Sequence, residues 1–350
     1  MTRTIVIVLL VAIVALGAAL WGPGALVPVA FTPGPVAAWA PTGDLSALHR
    51  VALPDGRGPE DVAIVGGVAV VGLEDGRLFG FPLGGGAPVA MGTTGGRPLG
   101  LHPAPDGGLY IADAMLGVLE RTADGTLHTR VRRCGGTPLV FADDVDVGPD
   151  GAVWFTDASQ RYGFHEWTRD IIEGQRTGRL CRWTPGQSDD ADEVLGGIAF
   201  ANGVAVSPDG TYVLISETGR QRVMRLDLTG PQAGKARVLL DGLPGYPDGI
   251  STGQGRFWLA IAAPRNAILD TLAPHPLLRR LVDRLPKAVQ PAPEHTARVM
   301  AISGEGEVLA DLFDPDGTSI QIVTSVQEQD RRVLLGSLGD TAWAWMDAPR

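Results

Sequence analysis

Cysteine is nearly absent from this sequence, and basic residues are outnumbered by acidic ones. Two cysteines, Cys134 and Cys181, are too few for a scaffold held together by disulfides, and they either pair with each other or lie as separate thiols in the core. Lys and Arg number 29 against 39 Asp and Glu, which gives a net charge of −10. Because such a surface repels a polyanion, nucleic acid is not expected as a partner, and a metal cation or a neutral small molecule is favoured.

Glycine and proline, in contrast, are abundant, with 48 and 27 residues among 350. Both residue types interrupt helices and favour tight turns, so the chain is expected to contain many short strands. Hydrophobic residues make up 45% of the sequence, which is ample material for a core. The composition therefore predicts a large all-β domain.

One long apolar run lies at residues 4–21, within a first segment of residues 1–21, and it contains no charged residue. At about 1.5 Å per residue it is just long enough to cross a bilayer core of about 30 Å, and it exceeds the apolar region of most signal peptides. We therefore expect a single transmembrane helix, with Arg3 in the cytoplasm and the rest of the chain on the periplasmic or extracytoplasmic side. Cleavage after the small residues at 15–19 would instead give a secreted protein.

A hairpin pattern recurs beyond residues 22–44, a segment rich in proline and glycine that is expected to form a stiff spacer. In each repeat two short apolar strands flank a turn, and further strand-like runs follow. The turns lie at 66–67, 105–107, 149–151, 208–210, 253–255 and 330–332. Three of them read Pro-Asp-Gly, in which Pro fixes φ, Asp bonds its own backbone and Gly takes φ > 0. Residues 45–350 are therefore predicted to form a six-bladed β-propeller.

Two stretches with helical spacing, residues 160–178 and 263–295, interrupt this repeat. The second contains leucines at 277, 278, 281 and 285 with arginines between them. One interpretation is that these insertions form a lid or wall over a substrate pocket, with membrane contact by the second. The other is that they are amphipathic helices packed on the propeller.

One position recurs just before the first strand of each hairpin. In a propeller the innermost strands line the central channel, so equivalent positions converge at one end of the axis. The four polar positions are Glu60, Asp143, Asn202 and Asp248. The other two are Leu99 and Thr324. Three carboxylates and an amide would repel one another unless a cation lay among them, and oxygen donors without His or Cys favour Ca²⁺ over Zn²⁺. The sequence therefore predicts a Ca²⁺ site formed by these four residues, which we call the axial ligand set.

Two long runs carry a family resemblance. They are DDVDVGPDGAVWFTDASQRYGFHEWTRDIIEGQRTGRLCRW at 143–183 and AFANGVAVSPDGTYVLISETGRQRVMRLDL at 199–228. Both closely resemble the strictosidine synthase-like family, which includes the adipocyte plasma membrane-associated proteins and falls in a larger group with gluconolactonase, regucalcin and paraoxonase. GPEDVAI around Glu60 and LPGYPDGI around Asp248 agree with this. The resemblance covers roughly residues 45–345.

The resemblance implies a six-bladed propeller with an axial Ca²⁺. In the family a Glu, one or two Asn and an Asp hold the metal, matching Glu60, Asn202 and Asp248 of this chain. At Asp143 the family usually has Asn, so this site carries one more negative charge. That charge is expected to tighten cation binding.

The family's catalytic residues transfer less well. Strictosidine synthases place a catalytic glutamate where this chain has Thr324, so a Pictet–Spengler condensation is not expected. Paraoxonase-like lactonases use a His pair, of which the first position is Leu99 here. His102 is close in sequence, but strand alternation is expected to point it elsewhere.

The chemistry that remains is metal-assisted hydrolysis. A bound Ca²⁺ polarises a lactone or ester carbonyl, and Asp143 or Asp248 is the candidate general base towards water. The leading hypothesis is therefore a Ca²⁺-dependent hydrolase of small-molecule lactones or esters on a membrane-anchored propeller. The alternative is a non-catalytic binding or scaffold propeller whose Ca²⁺ only ties the blades together.

Overall fold

The structure is a computed structural model that describes residues 17, 21, 22, 24–36, 39–329 and 331–349. Within these ranges the strands form six sheets, and the first strand of each sheet contacts the first strands of the sheets before and after it. The sixth of these first strands also contacts that of the first sheet, which closes the ring. The all-β, six-bladed propeller predicted from the sequence is therefore confirmed for the described residues.

In each blade four antiparallel strands are arranged outward from the axis, in chain order except in blade six, whose outer strand comes from the start of the chain; blade three has two further strands, joined to it by a parallel pairing. Blades one and two are β2 (Val62–Val65), β3 (Val68–Gly72), β4 (Arg77–Pro82) and β5 (Val89–Thr93), then β6 (Pro98–Pro103), β7 (Leu109–Asp113), β8 (Gly117–Arg121) and β9 (Leu127–Val131). Blade three is β12 (Ala142–Val147), β13 (Val153–Asp157), β14 (Gly178–Trp183) and β15 (Asp190–Ile198), widened by β10 (Arg133–Cys134) and β11 (Thr137–Pro138). Blades four and five are β16 (Ala201–Val206), β17 (Tyr212–Glu217), β18 (Arg222–Asp227) and β19 (Ala236–Leu240), then β20 (Gly245–Thr252), β21 (Phe257–Pro264), β22 (Ala297–Ile302) and β23 (Val308–Asp314). Blade six is β24 (Val323–Gln329), β25 (Arg332–Ser337), β26 (Ala342–Asp347) and β1 (His49–Ala52).

The sixth blade joins the two ends of the propeller. Strand β1 pairs antiparallel with β26, with His49 opposite Trp345 and Ala52 opposite Ala342. The first strand of the chain thus forms the outer edge of the last blade. This pairing closes the ring with backbone hydrogen bonds, so the first and last blades cannot separate without breaking a sheet.

The Pro-Asp-Gly turns join the first two strands of blades two, three and four. In the first of them Gly107 has φ +83°, and the Asp106 carboxylate accepts a hydrogen bond from the Gly108 amide at 2.9 Å. Gly151 and Gly210 adopt the same left-handed conformation, which a residue with Cβ would strain. The turn mechanism predicted from the sequence is confirmed.

The hydrophobic core lies between neighbouring blades. Ala63 of blade one packs with Leu101 and Ile111 of blade two, all nearly inaccessible to solvent. Leu214 of blade four packs in the same way with Met300 of blade five. Because the apolar contacts are distributed around the ring, the axis itself is left for polar groups.

Blade three contains both cysteines, and the structure shows that they pair with each other. Cys134 of β10 and Cys181 of β14 form a disulfide, with their Cα atoms 6.3 Å apart. It fastens the additional β10–β11 pair to the blade across a separation of 47 residues. A cross-link closing a loop of that length contributes about 4 kcal/mol in the chain-entropy account.

Both insertions contain helices, as their spacing predicts. The first holds a 3-10 turn (Phe164–Glu166) and α1 (Trp167–Glu173). The second holds α2 (Ala267–Leu272), whose first turn is capped by the Asn266 side chain, and α3 (Pro276–Arg284). Shorter 3-10 turns lie at Thr218–Arg220, Gly230–Gln232 and Lys287–Val289.

The apolar run predicted to span a membrane lies outside the described residues, apart from Gly17 and Trp21. In the part of the chain that is described, no helix is long and apolar enough to cross a membrane. Residues 24–36, in the proline-rich segment, contain neither helix nor strand and lie against the propeller.

Candidate functional site

Three members of the axial ligand set lie at irregularities of the innermost strands, and the fourth, Glu60, lies just before β2. In β12, β16 and β20 the pairing register shifts across two residues, at 143–144, 202–203 and 248–249. A bulge of this kind re-aims the side chains it contains. Each bulged pair begins with a member of the ligand set, so the backbone explains why these side chains leave the regular alternation of the strand.

Glycine follows two of these residues because the inner strands crowd together. A Cβ on Gly203 would lie 2.4 Å from the Ile250 amide nitrogen, and one on Gly249 would lie 2.6 Å from the Thr324 carbonyl oxygen. Contacts this short are not tolerated, so only glycine fits. The Asn-Gly and Asp-Gly dipeptides seen in the sequence are therefore a consequence of close strand packing at the axis.

The structure brings all four predicted ligands to one cavity. Its volume is about 120 Å³, and Leu99 and Thr324 line it as well, so all six equivalent positions converge as the repeat predicts. Since one buried water needs roughly 10–15 Å³, the space admits a cation together with a small organic molecule. Convergence is thus established, whereas binding of a metal by these residues stays a prediction.

Burial raises the pKa of the three carboxyl groups in the set, and repulsion from other members of the set adds to the shift of Glu60 and Asp143. Desolvation first, then the charges of Asp248 and Asp143, hold the pKa of Glu60 well above its usual range. The pKa of Asp143 is raised well above its usual range by burial and by Asp248. Burial raises the pKa of Asp248 to about 7, although a hydrogen bond from Asn202 opposes the shift. Such perturbed groups in a cavity are typical of functional sites.

Arg97 is the buried cation that acts on this cluster. Its charge lowers the pKa of both Glu60 and Asp143, opposing the larger upward shifts. The guanidinium donates to the Gly58 carbonyl at 2.9 Å and lies 5.6 Å from the Phe164 ring centroid. The sequence analysis missed Arg97, because nothing in its neighbourhood distinguishes it from a surface arginine.

One oxygen of the cluster has no protein partner. Within the described part of the chain, Asp143 Oδ2 is buried and accepts no hydrogen bond. Among the same residues, however, no three His, Cys, Asp or Glu side chains converge closely enough to form a preassembled metal site. The donor chemistry therefore suits a hard cation, while the carboxylates would have to draw together around one.

A second group of acids was also missed, and we call it the bridging aspartates. It consists of Asp61, Asp144 and Asp146. Each accepts one hydrogen bond from the amide of the next residue and a second from an amide on the inner strand of the following blade. For Asp61 the second donor is Leu101, at 2.8 Å. The sequence shows that Glu60-Asp61 and Asp143-Asp144 are pairs of adjacent acids, but it does not show that the two members of each pair have different roles.

A second cavity in the channel is lined by the bridging aspartates and His102, and Glu60, Asp143 and Asn202 line this cavity as well as the first. The Nδ1 atom of His102 lies 3.0 Å from Asp146 Oδ1. His102 does not line the cavity that holds Leu99. The expectation that His102 points away from that site is therefore confirmed.

An apolar wall closes the cavity opposite the acids. Phe141 packs edge-to-face on Phe164 and Phe200, with ring centroids 6.0 and 5.5 Å away. Trp167 of α1 and Leu269 of α2 complete this wall. Both insertions thus form part of the pocket, in line with the lid-or-wall interpretation. The arrangement can hold an apolar group of a ligand against a charged floor.

Two family models match the chain. The one described as "Strictosidine synthase" matches residues 143–231, and the one described as "Strictosidine synthase-like, N-terminal" matches residues 37–81. Strictosidine synthase-like protein 10 of Arabidopsis thaliana is 33% identical over 320 residues, covering 82% of this chain and 84% of that protein. The adipocyte plasma membrane-associated protein of Bos taurus is 29% identical over 303 residues, covering 80% and 73% respectively.

Solved structures agree on the fold. A gluconolactonase from Xanthomonas campestris superposes with a TM-score of 0.62 at 16% identity, covering 93% of this chain and 98% of that one. The calcium-binding protein regucalcin of Agrobacterium tumefaciens gives 0.56 at 16% identity, covering 83% and 91%. At this level of identity the likeness extends to the fold alone.

Proposed function

The chain belongs to the strictosidine synthase-like family, and from this premise we propose that it is a Ca²⁺-dependent hydrolase of lactones or esters. The observation that carries the proposal is the buried group of three carboxyls and an amide facing an apolar wall in one cavity. Each buried charge costs free energy unless it is compensated, so a buried group of this kind favours a compensating cation.

Charge balance favours a divalent cation. Glu60, Asp143 and Asp248, when ionised, oppose the single positive charge of Arg97, which leaves two negative charges. The unpartnered Asp143 oxygen and the Asn202 amide add hard donors, which Ca²⁺ prefers. A bound Ca²⁺ supplies Lewis-acid polarisation of a substrate carbonyl.

The chain's own residues supply the remainder of the chemistry. Asp248, which lines the cavity beside Asn202, is the proposed general base towards water, with Asp143 as the alternative. The wall around Phe141 and Phe200 binds the apolar part of the substrate and excludes water from it. With Thr324 in place of an acid, the site lacks a carboxyl for a condensation of the strictosidine synthase type.

Known propellers of the same fold support this chemistry. The names gluconolactonase and calcium-binding protein, borne by two solved neighbours, combine a lactone substrate and the proposed ion on one architecture. Neither name transfers by fold alone, which is why the argument depends on the cavity of this chain.

The test is a panel of lactones and aryl esters assayed with Ca²⁺ and with a chelator. We expect turnover that the chelator abolishes and that Ca²⁺ restores. Asp248→Asn should lower kcat by about 10²–10⁴-fold, the range for a lost general base. The matched control is Asp241→Asn, which removes the same charge from a carboxyl outside the cavity. No chelator-sensitive turnover on any substrate contradicts the proposal.

The second candidate is a non-catalytic propeller whose Ca²⁺ only ties the blades together. It is favoured by Leu99 and Thr324, which put no catalytic group at two of the six axial positions. Asp143→Ala separates the two candidates. Lost activity with an unchanged melting temperature supports the enzyme, whereas a lower melting temperature in a chain that never turns over a substrate supports the scaffold.

We further propose that the propeller is anchored by residues 4–21 on the extracytoplasmic side of a membrane. The Cys134–Cys181 disulfide supports this side, because disulfides persist in oxidising compartments. The name of the adipocyte plasma membrane-associated relatives also agrees with a membrane location. A small-molecule substrate, and not nucleic acid, is the proposed partner of the acidic surface.

A further inference from the structure

Helix α3 has its apolar side turned away from the protein. Leu277, Leu278 and Leu281 of this helix and Leu285, the residue just after it, form what we call the leucine patch. Their exposed fractions run from 39% for Leu281 to 56% for Leu277. Four adjacent leucines at this exposure are unusual for a helix that only packs on a domain, where the apolar stripe faces the core.

The inner side of the same helix is anchored by polar and apolar contacts. The buried Arg279 guanidinium donates to the Val29 carbonyl at 3.1 Å and to the Ile171 carbonyl at 3.0 Å. Val282 packs with Leu26 and other side chains in a small buried cluster. Because these contacts fix the rotation of the helix, the leucine patch is held outward.

The segment that leads from the apolar run to the propeller contacts this helix. Arg280 lies over the Trp21 ring at 5.7 Å, and Trp21 itself is 63% exposed. Residues 24–36 are held down by backbone hydrogen bonds, from Val29 to the Glu173 carbonyl and from Phe31 to the Ala273 carbonyl. The uncharged run of residues 4–21 therefore ends beside the helix that carries the leucine patch.

Charges around the patch complement anionic headgroups. Arg284 and Lys287 are exposed beside it, whereas Asp283 is turned inward to an ion pair with Arg169 at 3.1 Å. Basic residues flanking an exposed apolar helix face are typical of elements that lie in the membrane interface.

We infer that α3 lies in the headgroup region of the bilayer that the apolar run enters, with the leucine patch inserted into it. The occupant of the patch is thus lipid. Ala292 and Pro293, which follow α3, line the axial cavity. The same contact therefore orients the propeller with the mouth of that cavity towards the membrane. This orientation rests on the proposed anchor, but not on hydrolysis.

Single-cysteine labelling of the full chain tests the inference, since both native cysteines are in the disulfide. An environment-sensitive thiol probe is placed at Leu281→Cys and, in a second variant, at Leu277→Cys. The control is Gln254→Cys, in the turn after β20, a strand that runs about 13 Å from Asp248 to its last residue, Thr252. Each protein is mixed with vesicles of equimolar phosphatidylcholine and phosphatidylglycerol, with or without brominated acyl chains.

We expect a blue shift and roughly two-fold or greater quenching by brominated lipid at both leucine positions, and neither effect at position 254. Equal quenching at all three positions, or none at the leucines, overturns the inference, as does a chain that fails to sediment with the vesicles. A blue shift that grows with protein concentration and is insensitive to bromine assigns the patch to a second copy, and also overturns it. If the expected quenching is seen but the chain turns over no lactone or ester, the proposed hydrolase function is contradicted and the inference about the membrane is supported.

Discussion

Adjacent acidic residues in this propeller have different roles. Glu60 and Asp143 line the axial cavity, and Asp143 has an oxygen that finds no donor among the described residues. Their immediate neighbours, Asp61 and Asp144, do not line that cavity, and each uses both carboxylate oxygens to join two blades. All four have a raised pKa because they are buried. Burial and a raised pKa therefore do not distinguish a candidate ligand from a structural residue. What distinguishes them is whether each carboxylate oxygen accepts a hydrogen bond from the protein.

The bulge in β12 explains how two of these neighbours come to differ. In β12 it directs Asp143 to the axial cavity and Asp144 to an amide of the next blade, whereas Glu60 and Asp61 lie just before β2, where no bulge is present. The second carboxyl of each pair gains two backbone donors that offset its desolvation, whereas the first has like charges around it. The comparison predicts that replacing a bridging aspartate lowers the stability of the fold, whereas replacing a member of the axial ligand set impairs ligand binding.

The largest expected effect is on the structural side. Asp61→Ala leaves the buried amides of Val62 and Leu101 without an acceptor, and should lower the free energy of unfolding by about 3–5 kcal/mol. Denaturant titration measures the loss. Asp61→Asn, which keeps one acceptor oxygen, should lose less. A cost below about 1 kcal/mol for Asp61→Ala would show that the bridges are not structural.

The next effect tests the functional side through ligand binding. Ca²⁺ at one hundred times its Kd should stabilise the wild-type chain by about 2.7 kcal/mol, seen as a higher melting temperature that a chelator reverses. Asp143→Ala should lose this shift. Asp146→Asn removes a charge from the same strand, and should keep it because both Asp146 oxygens already accept amides. A shift that persists in Asp143→Ala would place the cation elsewhere.

A smaller effect compares the adjacent pair directly in chelator. Asp143→Asn should be as stable as the wild type, or more stable by up to about 1 kcal/mol, because it removes a carboxyl surrounded by like charges. Asp144→Asn should lose about 1–2 kcal/mol, because one of its amide donors faces an NH₂ group instead of an oxygen. Equal losses for the two variants, measured by denaturant midpoints, would remove the distinction between the two sets.

Much of the fold is readable in the sequence because its signals are local. Short turns, three of them Pro-Asp-Gly, fix hairpins within a few residues, and the repetition of the hairpins gives both the blade count and the register in which the axial positions converge. The closure of blade six is different in kind. Strand β1 is only four residues long, and its partner β26 begins at Ala342, so no local pattern connects them.

The candidate site was readable in part for the same reason. The axial positions follow from the repeat, but the atoms that each carboxylate contacts depend on the bulge, which alternation alone does not reveal. Arg97 and the aromatic wall come from segments between the repeat units, so their approach to the acids depends on tertiary packing. The sequence was thus sufficient to identify the axial acidic residues of the cavity. The aromatic wall and the positive charge of Arg97 could be identified only from the structure.

The smallest expected effect lies at the position where the family's synthases carry an acid. The Thr324 hydroxyl donates to the Glu60 carbonyl at 2.7 Å, so it holds the backbone of a candidate ligand. The Thr218 hydroxyl does the same for the Pro247 carbonyl, just before Asp248, at 2.6 Å. Each hydroxyl should be worth about 1 kcal/mol, a typical net value for a neutral hydrogen bond.

Thr324→Val keeps the shape of the side chain and removes only the donor, so the expected loss of stability is about 1 kcal/mol, while Thr324→Ser should restore it. If the hydroxyl positions Glu60 for a cation, Thr324→Val should also weaken Ca²⁺ binding several-fold in a calorimetric titration, which a purely structural bond would not do. Thr218→Val provides the parallel measurement beside Asp248. Unchanged Ca²⁺ affinity in both variants would mean that the hydroxyls, like the bridging aspartates, belong to the structural side of the comparison.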